Sequence, residues 1–404
     1  MSKLAIDGGS KVFNGDEVLP PWPPVYPETA ELLKSIYLSR SWSFYGEKEL
    51  LFNRKFAEFT GCSQCVMMAN GTVTLEMAMA ALDIGPGDEV IVPAHTWLAT
   101  VEAVVYRGAF PVVVDIEPDT LCMDPAAFEA AITPKTKAVI PVHVYGSMAD
   151  MDAIMSIARK YGLYVIEDCA HAHGGFWDGK HLGSIGDIGS FSFQQSKLMA
   201  SGEGGACITN DPELGEKLGR LSHIGYQKGA KQGQRGAPPP MGLICHNYRV
   251  TEFQAAILLG QLERLRADTE ERAANAEYLR QRLNAIDGIR VQSKGKKADP
   301  QSYYLFTLMV DSARLKSGIT RDKVIAALNA EGAPASYGWN APVYRQYLWS
   351  IPENMYRVAS CKNAEHILCN EMITCGVSLL HTNRDYLDKY CAAYEKVMAE
   401  YFAK

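Results

Sequence analysis

Residues 186–205 read Gly186-Asp-Ile-Gly-Ser-Phe-Ser-Phe-Gln-Gln-Ser-Lys197-Leu-Met-Ala-Ser-Gly-Glu-Gly-Gly205. The run from Ile188 to Phe193 predicts a strand, the polar bend behind it ends at a single lysine, and Ser201 to Gly205 is too glycine-rich for the interior of a helix or strand. A lysine just past a strand, set among small residues, suits imine formation with a carbonyl group. A solvated loop lysine is the alternative when this stretch is taken alone.

Working outward, the strand belongs to a series that starts near residue 60. The other candidates are Gln64 to Met68, Glu89 to Val92, Phe110 to Asp115, Ala138 to Val144, Leu163 to Asp168 and Ala206 to Thr209. Several are near-continuous apolar runs, as expected of strands buried on both faces. Amphipathic helices fall between them; the clearest is Asp150 to Tyr161, with Met151, Ile154, Met155 and Ala158 on one face and Gly162 as its stop. This alternation predicts an α/β fold with a mainly parallel, seven-stranded sheet and helices on both faces. We place an N-terminal arm at 1–30, a large domain at 31–255 and a smaller C-terminal α/β domain at 256–404. The arm is Pro- and Gly-rich, and its Trp22 and Tyr26 suggest docking. Residues 224–247 form a long irregular loop, of the kind that is functional or mobile. Thr251-Glu-Phe-Gln254 is a capping box that opens a long helix.

Composition excludes several classes. The net charge of -6 and the absence of a basic recognition helix argue against nucleic acid as a partner. No signal peptide or apolar run of about 20 residues is present, so the expected location is the cytoplasm, away from membranes. Ten cysteines in 404 residues are too dilute for a disulfide scaffold. Cys62-x-x-Cys65 lacks a second ligand pair for zinc, and Cys65, Cys169, Cys207 and Cys369 read as buried free thiols. No G-x-G-x-x-G or G-x-x-x-x-G-K-[ST] loop supports a plain nucleotide-binding protein.

Chemistry-bearing residues cluster at strand ends. Asn70-Gly71-Thr72 lies between a strand and a helix, where free N–H groups attract an anion such as phosphate. Trp97, in Val92-Pro-Ala-His-Thr-Trp97, sits where open α/β sheets bind ligands and could stack on a ring; core packing is the alternative. Val165-Ile-Glu-Asp168-Cys-Ala-His171-Ala-His173 ends an apolar strand in two carboxylates, which is costly without a cationic partner. A pyridinium nitrogen would be such a partner. A metal held by Asp168, His171 and His173 is the competing reading, but no fixed-spacing motif supports it and we predict no metal. Asp168 lies twenty-nine residues before Lys197, and Ser192 five before it. A phosphate seat, a stacking aromatic, a carboxylate for a ring nitrogen and an imine-forming lysine together describe a pyridoxal 5'-phosphate site.

With these residues in view, the chain resembles the DegT/StrS family of sugar and cyclitol aminotransferases, of fold type I. The resemblance spans Trp42 to about His381. It rests on Asn70-Gly-Thr72, Pro93-Ala-His-Thr-Trp97, Glu167 to Gly174, Ser190 to Lys197, Gly202-Glu-Gly-Gly205 and Asn247 to Ala256. It implies that Lys197 holds the cofactor as an internal aldimine, that Asp168 keeps the ring nitrogen protonated and that Trp97 covers one ring face. Gly71, Thr72 and Ser192 would bind the phosphate, joined by Asn247 from the partner of a homodimer with shared active sites. His171 stands where many members have Gln, beside the cofactor's phenolic oxygen; it can donate the same hydrogen bond and could also titrate. Lys197 argues against the family's dehydratases, which carry histidine there.

The resemblance also implies the substrates: glutamine or glutamate as donor, and a keto cyclitol or keto sugar as acceptor. Pro141 to Asp152 and the lysine region look like the glutamine:scyllo-inosose branch and its aminohydroxybenzoate-forming relatives; Gln195-Ser196 departs from the latter. Tyr45, Tyr226 and His381 are candidate substrate contacts. A nucleotide-sugar 3- or 4-keto aminotransferase and a non-catalytic pyridoxal-phosphate sensor are the alternatives.

Overall fold

The computed structural model describes residues 3–402 apart from 16 and 235, so residues 1, 2 and 16 of the expected arm, 235 of the long loop and the last two residues lie outside the described set. Strands β1 (Gln64–Met68), β2 (Glu89–Pro93), β3 (Phe110–Val114), β4 (Thr136–Val139) and β5 (Tyr164–Asp168) come first. A small hairpin of β6 (Phe176–Trp177) and β7 (Lys180–His181) precedes β8 (Ile188–Ser192) and β9 (Gly205–Thr209). The seven expected strands stand in the order β1-β9-β8-β5-β4-β2-β3. All neighbours are parallel except β9, which runs antiparallel to both β1 and β8. Every residue of β8 and β9 is buried, so both faces of the sheet are covered there.

Local chemistry accounts for the elements. In the helix Met151–Tyr161, the Asp150 carboxylate accepts the Ala153 N–H and Gly162 caps the end at φ 67°, while Met151, Ile154 and Ala158 are buried. The capping box of Thr251 and Gln254 opens the 32-residue helix Glu252–Leu283. The strand expected over Ala138 to Val144 stops at Val139, because Pro141 has no N–H to continue the ladder. It stays extended far enough for Val142 to bridge Asp168. The first helix, Pro27–Ser39, starts inside the expected arm, with Pro27 at the one turn that tolerates it.

The C-terminal part carries β10 (Ile289–Val291), β11 (Leu305–Val310), β12 (Arg357–Val358) and β13 (Met372–Gly376). β10, β11 and β13 form an antiparallel sheet, whereas β12 leaves it and pairs with β3 as an eighth strand of the large sheet. Two residues are too few to show a period, which is why sequence reading found seven strands. Two hydrophobic cores result, and the helix Glu252–Leu283 contributes to both: Leu258 and Leu265 to the first, Ala276 and Leu283 to the second. The start of the arm also docks, with Leu4 and Phe13 buried in the second core. Among the described residues, no helix is long and apolar enough to cross a membrane.

Glu331, fully buried, fastens the arm. Its carboxylate accepts the N–H groups of Ala5 (2.8 Å) and Val12 (3.1 Å) and pairs with Lys396 (2.7 Å). Removing one partner of a buried pair strands the others, so Glu331→Ala should lower the unfolding free energy by about 3 kcal/mol in equilibrium denaturation.

Candidate active site

Asp168 ends β5, Ser192 ends β8, Asn70 and Gly71 follow β1, and Trp97 follows β2. These strands run the same way, so their C-terminal ends deliver the residues to one edge of the sheet. There Gly71, Thr72, Trp97, Asp168, His171, Ser192 and Lys197 line a single cavity of about 950 Å³.

Close backbone approach shapes its floor. A Cβ on Gly71 would stand 2.6 Å from the Ser192 Cβ, and one on Gly205 would stand 2.7 Å from the Asn70 carbonyl carbon. Only glycine lets β9 pass between the two loops and bring the start of the helix Gly71–Ala81 against Ser192. The Asn70 side chain accepts the N–H groups of Thr72 (3.1 Å) and Val73 (3.0 Å). The helix N-terminus is therefore less open than the sequence suggests, and the Gly71 N–H and the Thr72 and Ser192 hydroxyls are the donors left for an anion.

The two carboxylates ending β5 point to opposite faces. Glu167 accepts from Gly183 N (2.8 Å), Ile185 N (2.8 Å), Gly186 N (2.7 Å) and His143 Nε2 (3.2 Å). Burial opposes its charge, yet His143 and the backbone donors hold its pKa below the usual carboxylate value. Asp168 has less help: the Thr100 hydroxyl (2.9 Å) and the Ala170 N–H (3.1 Å) donate to it. Burial pushes its pKa up, against those bonds and the charge of Lys197. Lys197 lies in the loop between β8 and β9, with Nζ 5.0 Å from the centre of the Tyr304 ring. Burial draws its pKa down to about 8, with Asp168 pulling the other way.

His171 Nδ1 accepts the Tyr145 N–H at 3.2 Å, which places the ring proton on Nε2, and its ring stacks on Tyr304 at 4.2 Å. Burial, then the Lys197 charge, drive its pKa well below the usual value. Both the lowered pKa and the occupied Nδ1 favour the neutral ring with its proton on Nε2. His173 is buried beside Phe191 and Phe193, outside the cavity lining, so it does not join Asp168 and His171 as a ligand set. Among the described residues, His143, Glu167 and Cys169 are the one convergent trio of possible metal ligands, and Glu167 is already taken by its hydrogen bonds. Trp97 is 41% exposed and stacks on Trp339 at 5.8 Å, so it belongs to the cavity rather than the core.

The profile of the DegT/DnrJ/EryC1/StrS aminotransferase family matches residues 26–386. The chain belongs to that family. A curated relative, L-glutamine:2-deoxy-scyllo-inosose aminotransferase of Streptoalloteichus tenebrarius, is 40% identical over 365 residues, covering 86% of this chain and 83% of its own. Among solved structures, 3-amino-5-hydroxybenzoic acid synthase superposes with a TM-score of 0.84 at 30% identity, over 95% of this chain and 99% of its own. DesV of S. venezuelae, in complex with a ketimine intermediate, gives 0.79 at 31% identity, over 91% of this chain and 94% of its own.

In this aminotransferase, four of the expected residues stay outside the cavity. Asn247, Tyr45 and Tyr226 gather around His223: Asn247 bridges it through the backbone, Tyr45 stacks on it at 4.0 Å, and the Tyr226 N–H donates to its carbonyl at 3.1 Å. His381 sits elsewhere, stacked on Trp22 at 5.6 Å with Nδ1 2.8 Å from Glu271. Sequence reading missed Tyr145, Tyr304 and Trp339, which line the cavity. Tyr145 adopts φ 55° and its hydroxyl accepts the Trp339 N–H at 2.7 Å. Tyr304 immediately precedes β11, and Gly338-Trp339-Asn340 carries no pattern at all. Of the expected buried thiols, Cys65, Cys169 and Cys207 are buried, but Cys369 is only half-buried.

The amine of Lys197 is charged below its lowered pKa and neutral above it. Modification of the cofactor-free protein by an amine-directed reagent, followed at Lys197 by peptide mass spectrometry, should reach half its limiting rate near pH 8. A midpoint at or above 10, where ordinary lysines titrate, would contradict the burial of this amine.

Proposed function

We propose that this aminotransferase uses pyridoxal 5'-phosphate to move the amino group of glutamine onto a keto cyclitol of the scyllo-inosose type. The observation that carries the reading is the convergence of Lys197, Asp168 and the Gly71–Ser192 cradle on one cavity. The residues fit the cofactor. Asp168 is a buried carboxylate for a cationic ring nitrogen, the Gly71 N–H with the Thr72 and Ser192 hydroxyls suits a phosphate at a helix N-terminus, and Trp97 offers a ring face.

When bound, pyridoxal phosphate supplies an aldehyde that takes up amines and a ring that accepts the electrons released at the donor's Cα. Lys197 Nζ is the group that would hold it. Freed by the donor and neutral at a pH near its lowered pKa, Nζ can take the proton from the donor Cα, and return one to the acceptor carbon in the reverse half. Asp168 would keep a ring nitrogen protonated by its charge. His171, with Nδ1 taken by Tyr145, would offer its Nε2–H to the ring oxygen.

Two observations favour a cyclitol over a nucleotide-linked sugar. The curated relative at 40% identity acts on 2-deoxy-scyllo-inosose, as its name states. Lys197 is also the one Lys or Arg among the described residues lining the cavity, beside Glu76, Asp168 and Glu203, so this chain brings no further cation for a diphosphate. Glutamate is the alternative donor. Asn247, Tyr45 and Tyr226 lie on one surface around His223, and we assign that surface to a homodimer in which it completes the partner's cavity. Ten free thiols fit the cytoplasm.

Purified protein loaded with pyridoxal phosphate should lose its visible absorbance on adding glutamine and regain it with a scyllo-inosose. Activity confined to a nucleotide 4-keto sugar would defeat the cyclitol assignment. Lys197→Ala should abolish both the visible band and turnover, and Asp168→Asn should lower kcat by about 10²-fold or more.

A further inference from the structure

The lysine turn is closed across its base by the Ser201 N–H to the Phe193 carbonyl and the Gln195 N–H to the Gly202 carbonyl, both 2.9 Å, while Lys197 itself is held within the turn by its N–H to the Gln194 carbonyl at 2.8 Å. The turn spans β8 to β9, and Gly202 and Gly204 sit at φ 84° and 147°, conformations that side-chain-bearing residues avoid. From outside the turn, Gln254 Nε2 donates to the Glu203 carbonyl (2.8 Å) and the Ser196 and Tyr304 hydroxyls meet at 2.8 Å, and two further contacts bear on its centre. Gln261 grips Ala200 from both sides, its Oε1 accepting the Ala200 N–H (2.7 Å) and its Nε2 donating to the Ala200 carbonyl (2.8 Å). The second contact comes from the arm: the Trp22 indole N–H donates to the carbonyl oxygen of Lys197 at 3.1 Å. Among the described residues it is the one donor to that oxygen.

Trp22 is itself held. Its ring stacks on His381 with the planes 20° apart, and His381 Nδ1 meets Glu271. Asn275 Nδ2 donates to the carbonyls on either side of His381, those of Leu380 (2.9 Å) and Thr382 (3.2 Å). Gln261, Glu271 and Asn275 all belong to the helix Glu252–Leu283. One rigid element therefore fixes the turn at three places: directly at Ala200, at Glu203 through Gln254, and at Lys197 through His381 and Trp22.

We propose that Trp22 is a positioning residue for Lys197, and that His381 acts through it as the surface against which the indole is set. The indole ties down the main chain from which the lysine side chain starts, so Nζ returns to the same place in the cavity each time it is displaced. This gives His381 a part in the reaction without contact to substrate. The inference rests on Lys197 as the residue that binds the cofactor, and its test separates the two.

Cofactor-free protein is mixed with pyridoxal phosphate, and the rate is followed at which Lys197 Nζ condenses with the aldehyde, water leaving, into a bond reducible by borohydride. The adduct is located by mass spectrometry. Trp22→Phe keeps a ring for His381 and removes the N–H; Trp22→Leu removes both. The expected result is about tenfold slower condensation in W22F and at least as slow in W22L. In the loaded enzyme kcat should fall in parallel while KM for both substrates stays within about twofold. Wild-type rates in W22F overturn the proposal even if W22L is slow, because packing of the ring would then be the whole effect. A wild-type protein that forms no adduct at Lys197 overturns the underlying reading of Lys197 instead.

Discussion

Asp168 is a carboxylate only 6% exposed, at the end of a strand buried inside the sheet, with one hydroxyl and one N–H as its direct donors. Taking an ion out of water at such a place costs several kcal/mol unless a cation compensates. The arrangement around it answers that cost in part: Thr100 is oriented by Thr96 at 2.6 Å, and Lys197 contributes its charge from across the cavity. A cationic ring would complete the compensation. Its neighbour Glu167 faces the same cost on the opposite side of β5 and meets it within the protein, through His143 and three backbone donors. One of the two adjacent carboxylates is thus satisfied within the fold, and the other faces the cavity with fewer partners.

The lysine depends on that same geometry. Burial lowers the pKa of its amine to about 8, so a fraction of neutral base is available near physiological pH, while the Asp168 charge pulls the pKa the other way. The Lys197 charge, in turn, adds to burial in holding His171 neutral. A cationic imidazole in that place would repel the lysine; a neutral one, with Nδ1 occupied by Tyr145, is a directional donor. Burial is thus the leading influence on all three groups, and the Lys197 charge acts on the other two.

The two cores are joined by shared elements more than by a boundary. The helix Glu252–Leu283 begins against the large sheet and ends against the small one, β12 returns from the C-terminal part to the large sheet, and the N-terminal arm buries Leu4 and Phe13 in the second core. Such connections let residues from both ends of the chain, such as Trp22 and His381, meet beside a lysine near its middle.

The strands β1 to β5, β8 and β9 were legible because their apolar runs and flanking glycines reflect burial on both faces, a property each strand carries by itself. The positions of Asn70, Gly71, Asp168, Ser192 and Lys197 near one edge of the sheet were legible too, since strand ends in such a sheet are where polar residues have a reason to stand. The lowered pKa of His171 was not legible: it comes from burial and then the Lys197 charge, and its tautomer is set by Tyr145, 26 residues away. Nor were Tyr145, Tyr304 and Trp339, whose roles arise from loops that meet only in the folded chain. The sequence by itself determined the elements and the chemical types at their ends, because periodicity and residue chemistry are local. The tertiary structure decided which of those groups share a cavity and in which charge state, because desolvation and proximity depend on everything packed around them.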